Sequence, residues 1–457
     1  MTVSDRKLFG TDGIRGLANA GAMTPELALK LGRAITHVAG RGKKHAPRIV
    51  IGKDTRLSGY MLESAIASGV CSMGGRVMLC GPVPTPAVAH LTTSMRADAG
   101  LVISASHNPF DDNGIKVFGS DGFKLPDALE SELEQLMIDE HRIGPLPTGA
   151  GIGRTQMLED ARGRYVAFAK NTFPKELTLE GLRIVIDAAH GAAYKVAPLV
   201  FAELGARVYA VGVKPNGINI NDNVGALHPE HVRTEVVRRG AHVGIALDGD
   251  ADRLVVIDEK GQVVDGDAVM AICARKMLDA KELKKRTLVA TVMSNLGLER
   301  AMKDMGCKLL RTDVGDRYVV EAMRKGGYNL GGEQSGHLVF LDHASTGDGI
   351  VAALQVLAIM MRTGIPLSEL ARNAMQRVPQ VLENVRLSER RKLSDMPKLA
   401  AAARRVEASL GAEGRVLIRW SGTEPKLRVM IEGPDDQRIR GWAKELCDVA
   451  AKEVASS

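Results

Sequence analysis

At 457 residues the chain is about three times the length of an average domain, so several domains are expected. Apolar types make up 45% and charged types 25%, the mixture of a folded globular protein, which excludes disorder, collagen and coiled coil. The net charge of +7, from 61 Lys and Arg against 54 Asp and Glu, is dispersed, and only 2 Trp, 6 Tyr and 8 Phe are available to stack on bases; small anionic ligands are expected rather than nucleic acid.

The opening M-T-V-S-D-R-K-L-F-G has no apolar h-region, so no secretory signal is expected. Thr24-Pro25 reads as the N-cap and first residue of a helix with Leu27, Leu31, Ala34, Ile35 and Val38 on one face. Three copies of one strand–helix–glycine–strand unit follow. The first runs from Arg48–Ile51 to Gly74-Gly75 and Arg76–Leu79, the second from Leu182–Ile186 to Gly205 and Ala206–Val211, the third from Thr287–Ala290 to Gly306 and Cys307–Leu310. This alternation is the grammar of α/β layers. The most apolar stretch, Ile350–Met361, is too short to span a bilayer, so no membrane partner is expected. After Arg377-Val378-Pro379 the pattern changes to two strands, Arg415–Trp420 and Lys426–Ile431, and a helix beyond Asp435, a small α+β domain. Boundaries are expected to give domains 1–154, 155–263, 264–376 and 377–457. Five cysteines without a C-x-x-C pair suit a reducing cytoplasm.

Four segments carry chemistry. In V-G-I-A-L-D-G-D-A-D-R, Asp248, Asp250 and Asp252 alternate, and on extended chain they would point to one side. Like charges about 4 Å apart repel by about 4 kcal/mol at an effective dielectric of 20, so the three call for a cation, and all-oxygen ligands favour Mg²⁺ or Ca²⁺. An EF-hand is rejected, because Arg253 stands at the sixth position, where its loop needs glycine. In S-A-S-H-N-P a strand delivers Ser104 and Ser106 into a turn; Ser106 beside His107 suits a nucleophile or phosphate carrier, or else a plain Asn-Pro turn. The hairpin loop R-W-S-G-T-E-P-K-L-R offers backbone N–H groups, hydroxyls and arginine forks to a phosphate. G-G-E-Q-S-G-H offers donors and acceptors for sugar hydroxyls. Two further loops, F-G-T-D-G-I-R-G and G-K-D-T-R-L-S-G, carry cations, and Lys53 and Arg56 would support the first-domain loop.

Taken together and in this order, the serine, metal, sugar and phosphate loops resemble those of the α-D-phosphohexomutase superfamily over essentially the whole chain, closest to its bacterial glucosamine branch. The resemblance implies four domains around a central cleft: three related α/β sheet domains and a C-terminal α+β domain like the TATA-binding-protein fold. It implies interconversion of glucosamine 6-phosphate and glucosamine 1-phosphate, an intramolecular phosphotransfer, through phosphorylated Ser106 and a 1,6-bisphosphate, on the route to UDP-N-acetylglucosamine. One Mg²⁺ would be held by Ser106, Asp248, Asp250 and Asp252, with glucosamine or glucose 1,6-bisphosphate as primer. Glu333, Ser335 and Arg253 would bind the sugar, and Arg419, Ser421, Gly422, Thr423 and Arg428 the phosphate that is not reacting. Arg15, His107, Lys116 and His337 are candidates for proton transfer and charge stabilisation; the base stays open among them, with Lys116 preferred. The enzyme would be cytoplasmic, with a homodimer left open. A sibling glucose or mannose mutase, a metal-dependent phosphatase and a non-catalytic sugar-phosphate binder are the rival readings.

Overall fold

The computed structural model describes residues 8–10, 12–421 and 426–455. The chain forms two compact units, one of residues 1–293 and 307–374, the other of 294–306 and 375–457.

The first unit holds three mixed sheets. The first has seven strands in the order Phe9–Gly10, Gly13–Leu17, Asp112–Gly119, Ala99–Ile103, Arg48–Lys53, Arg76–Pro82, Arg154–Met157. Its last strand pairs in parallel with Arg76–Pro82, so this sheet runs past the boundary expected at 154. The second has the order Val263–Val264, Leu254–Ile257, Val243–Leu247, Arg183–Asp187, Arg207–Val211, and the third Lys308–Thr312, Thr287–Thr291, Leu330–Gly332, Leu338–Phe340. All three expected strand–helix–strand copies are present, through the helices Ser58–Ser72, Val196–Glu203 and Leu296–Asp304. The last of these helices belongs to the second unit, whereas the expected third domain, 264–376, includes it.

Central strands here are buried along their whole length, as in Val243–Leu247 and Thr287–Thr291, which is why they read as unbroken apolar runs and not as alternating ones. Their parallel pairing decides where chemistry can gather. Arg48–Lys53 and Ala99–Ile103 end together, as do Arg183–Asp187 with Val243–Leu247 and Thr287–Thr291 with Leu330–Gly332. Asp54, Ser104, Asp248 and Glu333 therefore all begin loops at the carboxyl ends of strands, the edge at which open α/β sheets bind ligands.

Helix Pro25–Gly40 starts as expected, with the Thr24 hydroxyl accepting from the Leu27 N–H. The apolar stretch expected at 350–361 forms the buried helix Gly349–Thr363, and no single described helix is long and apolar enough to cross a membrane. In the second unit Gln380–Arg386, Lys426–Glu432 and Arg415–Trp420 form an antiparallel sheet whose apolar face packs on helices Pro397–Leu410 and Asp436–Ala455.

Candidate active site

The serine loop is built from buried polar groups. Ser104 Oγ donates to Asp54 Oδ2 at 2.6 Å and accepts from the Ser106 N–H at 2.9 Å. Ser106 has φ of 53°, in the left-handed region, an uncommon conformation for a non-glycine residue and one concentrated at functional sites. Arg56 has no exposed surface. It donates to Asp54 Oδ2 (2.9 Å) and to the carbonyls of Asp112 (2.8 Å), Ser106 (3.3 Å) and Asn108 (2.6 Å). It thus supports the serine loop as expected; Lys53 instead pairs with Glu63 and lies over the Tyr60 ring.

Asp248, Asp250 and Asp252 are buried and converge, but not by strand alternation. Strand Val243–Leu247 ends before them and Leu254–Ile257 begins after them; between lies a tight turn, with Ala251 N donating to Asp248 O and Ala251 at φ 58°. The turn, not extended chain, brings one carboxylate oxygen of each to within 4.8 Å of the others. Ser106 Oγ donates to Asp248 Oδ2 at 2.5 Å, so the serine and aspartate loops meet. Lys116 Nζ donates to Asp250 Oδ2 (2.8 Å) and Asp252 Oδ2 (2.9 Å), and Thr85 Oγ1 donates to Asp250 Oδ2 at 2.6 Å. Asp250 Oδ1 and Asp252 Oδ1 are buried with no hydrogen-bond donor. Three buried carboxylates with oxygens within 4.8 Å of one another, Asp250 Oδ1 among them without a hydrogen-bond donor, fit a hard divalent cation that takes oxygen ligands.

The electrostatics express the same crowding. Burial, then the charges of Asp252 and Asp250, push Asp248 well above the ordinary carboxylate range. For Asp252 burial works in the same direction but is outweighed by Lys116 and His337, which hold it well below that range. Burial of Lys116, 1% exposed, is outweighed by Asp12, Asp250 and Asp252, so it keeps its proton far above its usual range. Lys116 is thus an ammonium in this arrangement. His107 Nδ1 lies 3.3 Å from Ser106 Oγ, and burial, then Arg253 and Arg15, push the ring down to about 4, leaving a neutral imidazole at pH 7. Arg15 pairs with Asp12. His337 lies between Asp252 Oδ1 (3.6 Å) and Asp316 Oδ2 (3.3 Å); those carboxylates outweigh burial and raise it.

The sugar-type loop backs on the aspartate turn. Leu254 N donates to Gly336 O at 3.0 Å, and Gly336 has φ of 90° where a Cβ would come within 2.0 Å of Leu254 O. Glu333 accepts from Gly315 N–H at 3.1 Å and from Ser335 Oγ at 3.4 Å. Burial of the Arg253 guanidinium is outweighed by Asp252, Asp248 and Glu333, which raise its affinity for its proton. Ser106, His107, Lys116, Arg15, the three aspartates, Arg253, His337 and Glu333 therefore belong to one continuous network.

In the second unit Arg419 and Arg428 stand directly opposite each other on paired strands, a placement of like charges that suits an anion between them. Ser421 N donates to Lys426 O at 2.8 Å, and Arg390 donates to Ser421 O at 2.7 Å. Gly422 and Thr423 lie outside the described residues.

The sequence does not single out as site residues Thr85, Asp54, Asp316, Lys124, which pairs with Asp12 and Asp316, or Asn221, which bonds the Ser106 carbonyl. Thr85 sits in V-P-T-P, which reads only as a helix start, yet its N–H and hydroxyl both bond Asp250. Replacing Thr85 with Val should weaken Mg²⁺ binding to the purified protein by about 10–100-fold in a calorimetric titration, with Thr85→Ser restoring it; equal affinities would show that the hydroxyl does not orient the carboxylate.

Comparison with known proteins bears on the whole chain. Models of the phosphoglucomutase/phosphomannomutase α/β/α domains I, II and III match residues 6–142, 163–261 and 265–378, and the model of the C-terminal domain matches 382–449. The chain is 66% identical over 456 residues to a phosphoglucosamine mutase of Sorangium cellulosum, covering 99% of this chain and 94% of that protein. It is 58% identical over 452 residues to one of Myxococcus xanthus, covering 99% and 98%. Among solved structures, a phosphoglucomutase/phosphomannomutase family protein of Burkholderia thailandensis superposes with TM-score 0.81 at 25% identity over 97% of each chain. An Aspergillus fumigatus N-acetylphosphoglucosamine mutase, solved with GlcNAc-6P and magnesium, shares the fold at TM-score 0.67 and 16% identity over 99% of this chain and 97% of that one. The chain belongs to the phosphoglucomutase/phosphomannomutase family and, within it, to the phosphoglucosamine mutases.

Proposed function

We propose that this isomerase interconverts glucosamine 6-phosphate and glucosamine 1-phosphate, with Ser106 carrying the phosphoryl group in transit. The observation that carries the reading is the buried Ser106 hydroxyl bonded to Asp248, within a cluster of three carboxylates gathered closely enough to share one metal ion. The free hydroxyl of the sugar phosphate attacks phosphoserine; the bond from phosphorus to Ser106 Oγ breaks as the new P–O bond forms, giving the 1,6-bisphosphate. The bisphosphate turns over and returns its other phosphoryl group to Ser106, regenerating the enzyme. A 1,6-bisphosphate of glucosamine or glucose primes the first cycle.

Asp248, Asp250, Asp252 and the serine would hold one Mg²⁺, which, when bound, neutralises and polarises the transferring phosphoryl group. The proton passing between serine and sugar hydroxyl would be handled by one of Arg15, His107, Lys116 and His337, of which His107 lies beside Oγ. Lys116 and Arg15 balance the charge that builds up on the phosphoryl oxygens. Glu333, Ser335 and Arg253 grip ring hydroxyls, and Arg419, Ser421, Gly422, Thr423 and Arg428 bind the resting phosphate. The product feeds UDP-N-acetylglucosamine synthesis in the cytoplasm, and the domains divide close to 154, 263 and 376.

A coupled assay with glucosamine 6-phosphate and bisphosphate primer tests this. The expected result is turnover with kcat/KM for the amino sugar at least about tenfold above that for glucose or mannose 6-phosphate, the scale of one well-placed polar contact. A preference for either hydroxy sugar would assign the chain to a sibling activity, and stoichiometric release of free phosphate would make it a phosphatase.

A further inference from the structure

Ahead of helix Glu230–Arg239, the segment N-G-I-N-I-N-D-N-V-G at 216–225 has no part in the reading above. It is firmly seated. Asn221 N donates to Ala189 O at 2.9 Å, Gly225 N donates to the buried Asp187 carboxylate at 2.9 Å, and Ala226 N donates to Leu247 O at 3.0 Å. From that seat the Asn221 side chain reaches the serine loop, and its Nδ2 donates to the carbonyls of both Ser106 and Asn108 at 2.9 Å. Arg56 donates to the same two carbonyls from within the first sheet's own loops. A third element closes on the same spot: a Cβ at Gly249 would come within 2.4 Å of Ser106 O and 2.9 Å of Asn221 Nδ2.

We infer that Asn221 is a positioning residue for Ser106. Its amide and the Arg56 guanidinium together hold the left-handed Ser106 peptide that aims Oγ at Asp248. The two donors do different work. Arg56 fixes the serine loop to the sheet that carries it, whereas Asn221 fixes it to the loops around the strand that ends in the aspartates. Nucleophile and metal-type ligands come from separate sheets, and Asn221 joins the serine loop to the Ala189 carbonyl in a loop of the second sheet. The role rests on the proposal that Ser106 carries the phosphoryl group.

Asn221 has φ of 58°, so Asn221→Gly removes the amide without adding backbone strain. Asn223, at φ 54° on the same loop, donates to Asp222, and Asn223→Gly makes the same backbone change away from the serine. Asn221→Gly is expected to lower kcat about 10²-fold while KM for glucosamine 6-phosphate stays within about threefold, and Asn223→Gly to match wild type. Hydrogen exchange in the peptide spanning residues 104–110 should be faster in Asn221→Gly alone. Unchanged exchange there, a kcat within about threefold of wild type, or an equal loss in Asn223→Gly would overturn the inference. Exchange is read whether or not turnover is seen, so an inactive wild type would count against the mutase reading while leaving the positioning role to be decided by exchange.

Discussion

Ser106→Ala is expected to abolish mutase turnover, by at least about 10³-fold, while leaving the fold intact. Alanine tolerates the left-handed φ of 53° no worse than serine, so the substitution adds no backbone cost. It removes two contacts of Oγ, the bond donated to Asp248, a buried carboxyl that burial already biases toward its protonated form, and the longer one with His107 Nδ1. The loss in stability should therefore be about 1–2 kcal/mol, a shift of a few degrees in Tm. Circular dichroism melting with the coupled assay separates the two effects. Residual turnover above about a tenth of wild type would remove Ser106 from the covalent path.

Arg56→Met should have the largest effect on stability. Arg56 is enclosed, faces the buried Asp54 carboxylate, and binds three carbonyls that would be left without it. Breaking a buried pair by removing one partner costs about 3–5 kcal/mol, because the remaining charge has no compensation. Asp54 is already raised, by burial first, with Arg56 as the main influence that lowers it, so the variant should raise it further. An acid whose folded pKa lies above its unfolded one destabilises the fold once pH exceeds the unfolded value, and the penalty grows up to the folded value. The deficit in Arg56→Met should therefore shrink as pH falls toward about 4, and urea melts across that range measure it. A constant deficit would mean that lost packing, and not the stranded carboxylate, dominates. Turnover should fall too, since the Ser106 carbonyl loses a donor.

Strand–helix alternation was readable because buried parallel strands leave unbroken β-branched runs such as Arg183-Ile-Val-Ile-Asp187, and glycines end the crossover helices. Serine and aspartate loops were readable for a related reason: each combines small residues with polar ones directly after an apolar run, Ala99–Ile103 and Val243–Leu247, whereas the sugar loop follows only the short Leu330-Gly-Gly332. How the aspartates converge was not. Alternation on extended chain predicts the same clustering as a turn with Ala251 at positive φ, and only coordinates separate the two. Thr85 and Asn221 were invisible because their partners lie 165 and 115 positions away, and neither proline-flanked threonine nor loop asparagine carries a local signature of function. Lys116 shows the limit for proton transfer. Its identity made it one candidate for the base, but the groups it faces, Asp12, Asp250 and Asp252, are gathered around it only in space.

The most direct test is phosphopeptide mapping of freshly purified protein, before and after addition of glucosamine 6-phosphate. A single phosphoryl group is expected on Ser106, discharged to the sugar as bisphosphate. Phosphate confined to other residues, or full turnover by a chain that never carries phosphate on Ser106, would contradict the account.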